Sequence, residues 1–101
     1  MHVSVVNFNL EGITHDDFLN ITEQAAPAFA QVPGLISKVW LSDEERNTYG
    51  GVYTWENKEA LDACLAGDLF NNAVINNPNF VNVSVKDFGV LEKPSRVTGM
   101  K

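Results

Sequence analysis

A chain of 101 residues holds one domain, large enough for a core but with little apolar surface to spare. Hydrophobic residues make up 45% and charged residues 20%, the balance of an ordinary globular protein. The net charge of -6, with seven Lys and Arg scattered rather than clustered, excludes a phosphate-binding surface, so no nucleic-acid partner is expected.

One cysteine, Cys64, leaves no partner for an intrachain disulfide and fits a reducing compartment. Residues 1 to 30 lack the basic start and apolar block of a signal peptide, and no apolar run approaches the length of a membrane span. A cytoplasmic location without a membrane partner is the expectation. His2 and His15 have no third ligand at metal-binding spacing, so neither a metal nor another cofactor is expected.

His2 to Leu10 alternates as a strand, with Val3, Val5 and Asn7 on one face and Ser4, Val6 and Phe8 on the other. Thr14 is a good N-cap, and Asp16 and Asp17 follow where acidic groups suit the positive helix end. Phe18, Ile21, Ala25, Phe29 and Val32 then recur at helical spacing. Pro27 removes one amide donor and crowds the Glu23 carbonyl, which predicts a bend without termination.

Pro33-Gly34 breaks that helix, and two strand-like runs follow, 35–41 and 49–55, joined by a polar turn from Ser42 to Thr48. Folding the hairpin at the middle of the turn sets Trp40 opposite Gly51, Lys38 opposite Tyr53 and Ile36 opposite Trp55. Lys38, Trp40, Tyr53 and Trp55 then share one face, with Gly51 leaving room for the indole. Val39, Leu41, Val52 and Thr54 fall on the other. So much aromatic area around one amine predicts a pocket or an interface.

Asn57 or Glu56 opens a second helix whose buried stripe is Ala60, Leu61, Cys64 and Leu65, with Gly67 as its C-terminal cap. Asp68 caps a shorter turn through Phe70, Ala73 and Val74. After the loop at Asn76–Asn79, Phe80 to Leu91 is predicted as the last strand, with Val81, Val83 and Val85 on one face. Residues 1–92 form the domain; Lys93 to Lys101 has no hydrophobic period and is expected to be an arm or disordered.

Strand, helix, strand, strand, helix, strand is the order of a ferredoxin-like α+β sandwich, a βαββαβ arrangement with a four-stranded antiparallel sheet. Both faces of these strands are apolar, yet two helices cover only one. The other calls for a second copy, so a homodimer packed sheet on sheet, a dimeric α/β barrel, is expected.

Glu23-Gln24 through Pro27, Gln31, Pro33-Gly34, Lys38-Val39-Trp40 and Gly50-Gly51-Val52-Tyr53 together resemble the YdhR-type monooxygenases of the dimeric α/β-barrel superfamily. The likeness reaches the final strand through Lys86-Asp87-Phe88 and Val90. It implies a cofactor-independent monooxygenase acting on a small aromatic or enolisable substrate in an apolar pocket. Such chemistry needs a dry cavity, a proton acceptor, and donors for the developing oxyanion. Trp40, Tyr53 and Asn7 are the candidate catalytic residues. Trp40, Tyr53, Asn9, Lys38 and Phe88 are the candidate substrate contacts.

Each has a plainer reading. Trp40 and Tyr53 are core packers in many strands, and Lys38 on an edge strand serves to block aggregation. His15, in the first turn of a helix, is expected to be exposed because nothing near it in sequence orients its ring. A non-catalytic small-molecule binding or interaction module on the same fold is the alternative function. A haem-handling protein is disfavoured, with His15 as the only credible axial ligand.

Overall fold

The computed structural model describes residues 1–101. Strand β1 (His2–Leu10) leads into helix α1 (His15–Phe29), then the hairpin β2 (Leu35–Asp43) and β3 (Thr48–Trp55). Helix α2 (Lys58–Leu65), a single turn α3 (Asp68–Phe70) and a π-helical turn over Asn71–Ile75 follow. Strand β4 (Phe80–Gly89) and a short helix α4 (Glu92–Val97) complete the chain. The four strands form one antiparallel sheet in the order β2-β3-β1-β4, the expected ferredoxin-like arrangement.

Local chemistry accounts for the element ends. Thr14 accepts a hydrogen bond from the Asp17 amide at 3.1 Å while the Asp17 carboxylate accepts one from the Thr14 amide at 2.9 Å, a reciprocal cap that starts α1. The helix runs through Pro27 and stops at Phe29. Asn57 caps α2 through the Ala60 amide at 2.9 Å. Gly67 does not close α2 in the left-handed conformation; Ala66 ends it, and Gly67 instead precedes α3 with an extended backbone.

Alternation along β1 decides which side of the sheet is covered. Ser4, Val6, Phe8 and Leu10 are buried, and their face packs on Phe18 and Phe29 of α1, Leu61 of α2, and Phe70 and Val74 beyond it. Trp55 is sealed in this core and donates a hydrogen bond to Ser4 Oγ at 2.9 Å. At 25 cal/mol per Å², each such large side chain contributes about 2–3 kcal/mol of burial energy. The reverse face, with Val3, Val5, Val39 and Phe88, has no helical layer. Val39 stays 58% and Phe88 56% exposed.

Bulges in both outer strands change two expected facings. In β2, Leu35 pairs with Trp55 and Ser37 with Thr54, so Ile36 is the extra residue and does not face Trp55. In β4, Val81 pairs with Asn9 and Ser84 with Asn7, and Asn82 takes a left-handed backbone at φ 55°. Val81 therefore lies on the open face while Val83 and Val85 pack on the core, so these three valines do not share a side.

Two further points of local structure depart from expectation. Residues 93–101 are not an unstructured arm throughout: α4 closes with an Arg96–Glu92 ion pair at 2.9 Å. Ser95, Thr98 and Met100 border a groove with Val3 and Thr54, which sets α4 at the rim of the uncovered face. The last strand also ends at Gly89 rather than Leu91. No helix is long and apolar enough to cross a membrane.

Candidate functional site

The hairpin register is the expected one where it matters: Trp40 pairs with Gly51 and Lys38 with Tyr53. These side chains face α1 and meet Phe29. Lys38 Nζ lies 3.3 Å from the Trp40 ring centre, 3.6 Å from that of Phe29 and 4.6 Å from that of Tyr53. Phe29 stands edge-on to Trp40, with centres 5.7 Å apart at 90°. An amine is thus held in a box of three ring faces.

Gly51 makes the box possible, for a reason different from the expected one. A Cβ there would come within 3.0 Å of Lys38 Cε and 3.3 Å of Tyr53 Cε1. The missing side chain accommodates the lysine stem rather than the indole.

Inward of the box lies an apolar hollow of about 30 Å³, bordered by Phe8, Phe18, Phe80, Ala73 and Val74 together with Trp40 and Tyr53. Outward, between Ala26, Ala30, Leu35 and Ser37, lies a cleft of about 240 Å³. Phe29, Lys38 and Trp40 border both and form the wall between them.

The electrostatics follow from this enclosure. Burial away from water lowers the Lys38 pKa to about 7, with the nearby Cys64 thiol acting weakly in the opposite sense. Burial pushes the Tyr53 hydroxyl well above its ordinary range, so it stays protonated. The Cys64 thiol is also raised by burial, offset in part by Lys38. Neither Lys38 Nζ nor the Tyr53 hydroxyl takes a hydrogen-bond partner from the chain, and neither is sealed off completely. A base poised near neutrality and a protonated donor therefore share one apolar surface.

Asn7, Asn9 and Phe88 are not part of this constellation, which corrects the expectation that an asparagine serves the Trp40–Tyr53 pocket. Val6 pairs with Gly51, so the odd-numbered positions of β1 point to the opposite face. Asn7 donates to the Tyr49 carbonyl at 3.4 Å. Asn9 is held between Asn47 and Asn82, donating to the Asn47 carbonyl at 2.7 Å. Phe88 pairs with Val3 on the same open side.

His15 also departs from expectation. Its Nδ1 lies 2.8 Å from the Tyr49 hydroxyl, so β3 orients the ring from 34 residues away in sequence. That partner is invisible locally. The alternation of β3, which puts Tyr49 on the face of Tyr53, was the one available signal.

With this geometry in place, comparison with known proteins is direct. The family described as "Putative mono-oxygenase ydhR" matches residues 3–101. The chain belongs to that family. No curated protein sequence matches it. Solved structures share its fold: an antibiotic biosynthesis monooxygenase aligns at 15% identity and TM-score 0.72, over 90% of this chain and 99% of its own. SnoaB, a cofactor-independent oxygenase from Streptomyces nogalater, aligns at 21% identity and TM-score 0.70, over 90% and 94%. The haem degrader MhuD from Mycobacterium tuberculosis aligns at 20% identity and TM-score 0.71, over 90% and 96%. This member of the ydhR family therefore has the fold of the antibiotic-biosynthesis monooxygenases, with its aromatic–lysine box between sheet and helices.

Proposed function

We propose that this ydhR-family protein is a cofactor-independent monooxygenase for a small aromatic or enolisable compound, bound between sheet and helices beside Lys38, Trp40 and Tyr53. The observation that carries the reading is the unpartnered Lys38 amine, boxed by aromatic rings beside an apolar hollow.

The inner hollow of about 30 Å³ is far below the roughly 300–1,000 Å³ of ordinary ligand sites, so a substrate enters only as side chains part. Swinging the Lys38 chain joins the hollow to the outer cleft, because that chain borders both. A flat substrate then stacks on the Trp40 ring, with the Phe29 ring at a right angle beside it. Neutral Lys38 takes the phenol or enol proton, and the resulting ammonium stays beside the anion while the Tyr53 hydroxyl donates to it.

The anion gives one electron to dioxygen, the two radicals combine at carbon as a peroxide anion, and the Lys38 ammonium returns its proton to give the hydroperoxide. Loss of water leaves a carbonyl. One oxygen atom ends in the product and one in water, so no outside reductant is needed.

The working unit in this reading is a homodimer. Val39 and Phe88 project from the uncovered sheet face, and a second copy laid sheet on sheet removes them from water. Oxygen uptake with a panel of naphthols and anthrones tests the activity. Uptake that falls at least about tenfold in both Lys38→Met and Tyr53→Phe supports the proposed roles. Binding without uptake makes the protein a binding module and overturns the oxygenase reading.

A further inference from the structure

We propose that Lys38 is also a carbonyl-capturing nucleophile, which adds to small aldehydes and unhindered ketones in the hollow and releases water to leave an iminium. Three features of the site point there together. The amine has no carboxylate beside it and no acceptor on the chain, unlike Lys58, whose ammonium pairs with Asp62 at 3.2 Å. It borders both the inner hollow and the outer cleft, so a carbonyl carbon reaches it from the cleft and is enclosed as the side chains part. Its box of Phe29, Trp40 and Tyr53 faces suits a cation, and the iminium is a cation at the very position Nζ occupies.

The steps balance with one proton taken from solvent. The Nζ lone pair forms the C–N bond, the carbonyl π pair goes to oxygen, and one amine proton moves to that oxygen. A second proton, taken from solvent, lets that oxygen leave as water while the nitrogen lone pair closes the C=N bond, and the charge stays on the iminium. A hydroxyl donor helps the oxygen depart, and Tyr53, whose hydroxyl is protonated and unpartnered, borders the same hollow. Nothing is oxidised or reduced.

Attack requires the neutral amine, and burial supplies it near pH 7. The titratable groups in its surroundings are Tyr53 on β3 and Cys64 on α2; the parts of α1 that face it, Ala26 and Phe29, carry none. Burial therefore favours the attacking form while the rings favour the product.

Benzaldehyde and sodium cyanoborohydride, added to the natural chain under nitrogen at pH 7, provide the test. Intact mass followed by peptide mapping should show one reduced adduct per chain at Lys38, with Lys58, Lys86, Lys93 and Lys101 far slower. The adduct should vanish in Lys38→Arg, and in urea the preference among lysines should disappear. Equal labelling of all lysines in the folded chain, or none at Lys38, overturns the inference, and mapping the natural chain decides this even where a variant fails to fold. Because oxygen is absent, capture without any oxygen uptake elsewhere would remove the oxygenase reading alone.

Discussion

Replacing Lys38 with Met keeps an unbranched chain against Gly51 while removing the amine, and it should stabilise the protein at neutral pH. Lysine ordinarily titrates at 10.5, and burial brings Lys38 to about 7. Between those values the unfolded chain binds a proton that the folded chain does not, so stability rises with pH across the window and is lost as pH falls to 7. At 1.36 kcal/mol per pKa step, the lysine costs about 4 kcal/mol at pH 7 and about 2 kcal/mol at pH 9. The three ring faces return about 0.5–2 kcal/mol to the ammonium. Lys38→Met should thus be about 3–4 kcal/mol more stable at pH 7, and it should lack the gain of about 1–2 kcal/mol expected of the natural chain between pH 7 and 9. Urea unfolding at both pH values, at equal protein concentration, measures this. Parallel pH dependence in the two proteins, or a natural chain that weakens from pH 7 to 9, would refute a desolvated amine at this position.

Val39→Asp on the uncovered face should abolish the proposed sheet-on-sheet association in sedimentation while the far-ultraviolet spectrum is kept. Val83→Asp, in contrast, should unfold the chain, since that side chain packs on the core and a buried carboxylate there costs several kcal/mol. Unchanged association in Val39→Asp would remove this face as the interface. Tyr49→Phe should lose the contact with His15 and cost about 1 kcal/mol in urea melts. Gly51→Ala should drive the Lys38 stem out of the box at a cost of about 1–3 kcal/mol and reduce benzaldehyde capture, because the new methyl meets Lys38 Cε at 3.0 Å. Capture at the natural rate would show that the box does not govern reactivity.

The hairpin was readable because a short turn sets the pairing of strands adjacent in sequence, and alternation then places Lys38, Trp40 and Tyr53 on one side. Strand order was readable from element order and crossover handedness. The facing of Asn7 was not, because it depends on Val6 meeting Gly51, a pairing between strands 45 positions apart that no local pattern encodes. The bulges at Ile36 and Asn82 were equally hidden, since one inserted residue reverses a strand's facing without changing its composition. The role of Phe29 in closing the box needed the angle at which α1 crosses the hairpin. His15 needed its Tyr49 partner, supplied by tertiary packing.

Both bulges occupy the outermost strands, β2 and β4, while the inner pair β1 and β3 is regular. A smooth outer strand offers a continuous row of amides and carbonyls to any extended chain that drifts past, and that is the route by which sheets grow into fibrils. Here each margin is interrupted by a bulge, at Ile36 and at Asn82, so a neighbouring strand cannot stay in step past that point. Growth by edge addition is discouraged at both ends, although an apolar sheet face remains uncovered. Concentrated solutions should therefore resist amyloid formation.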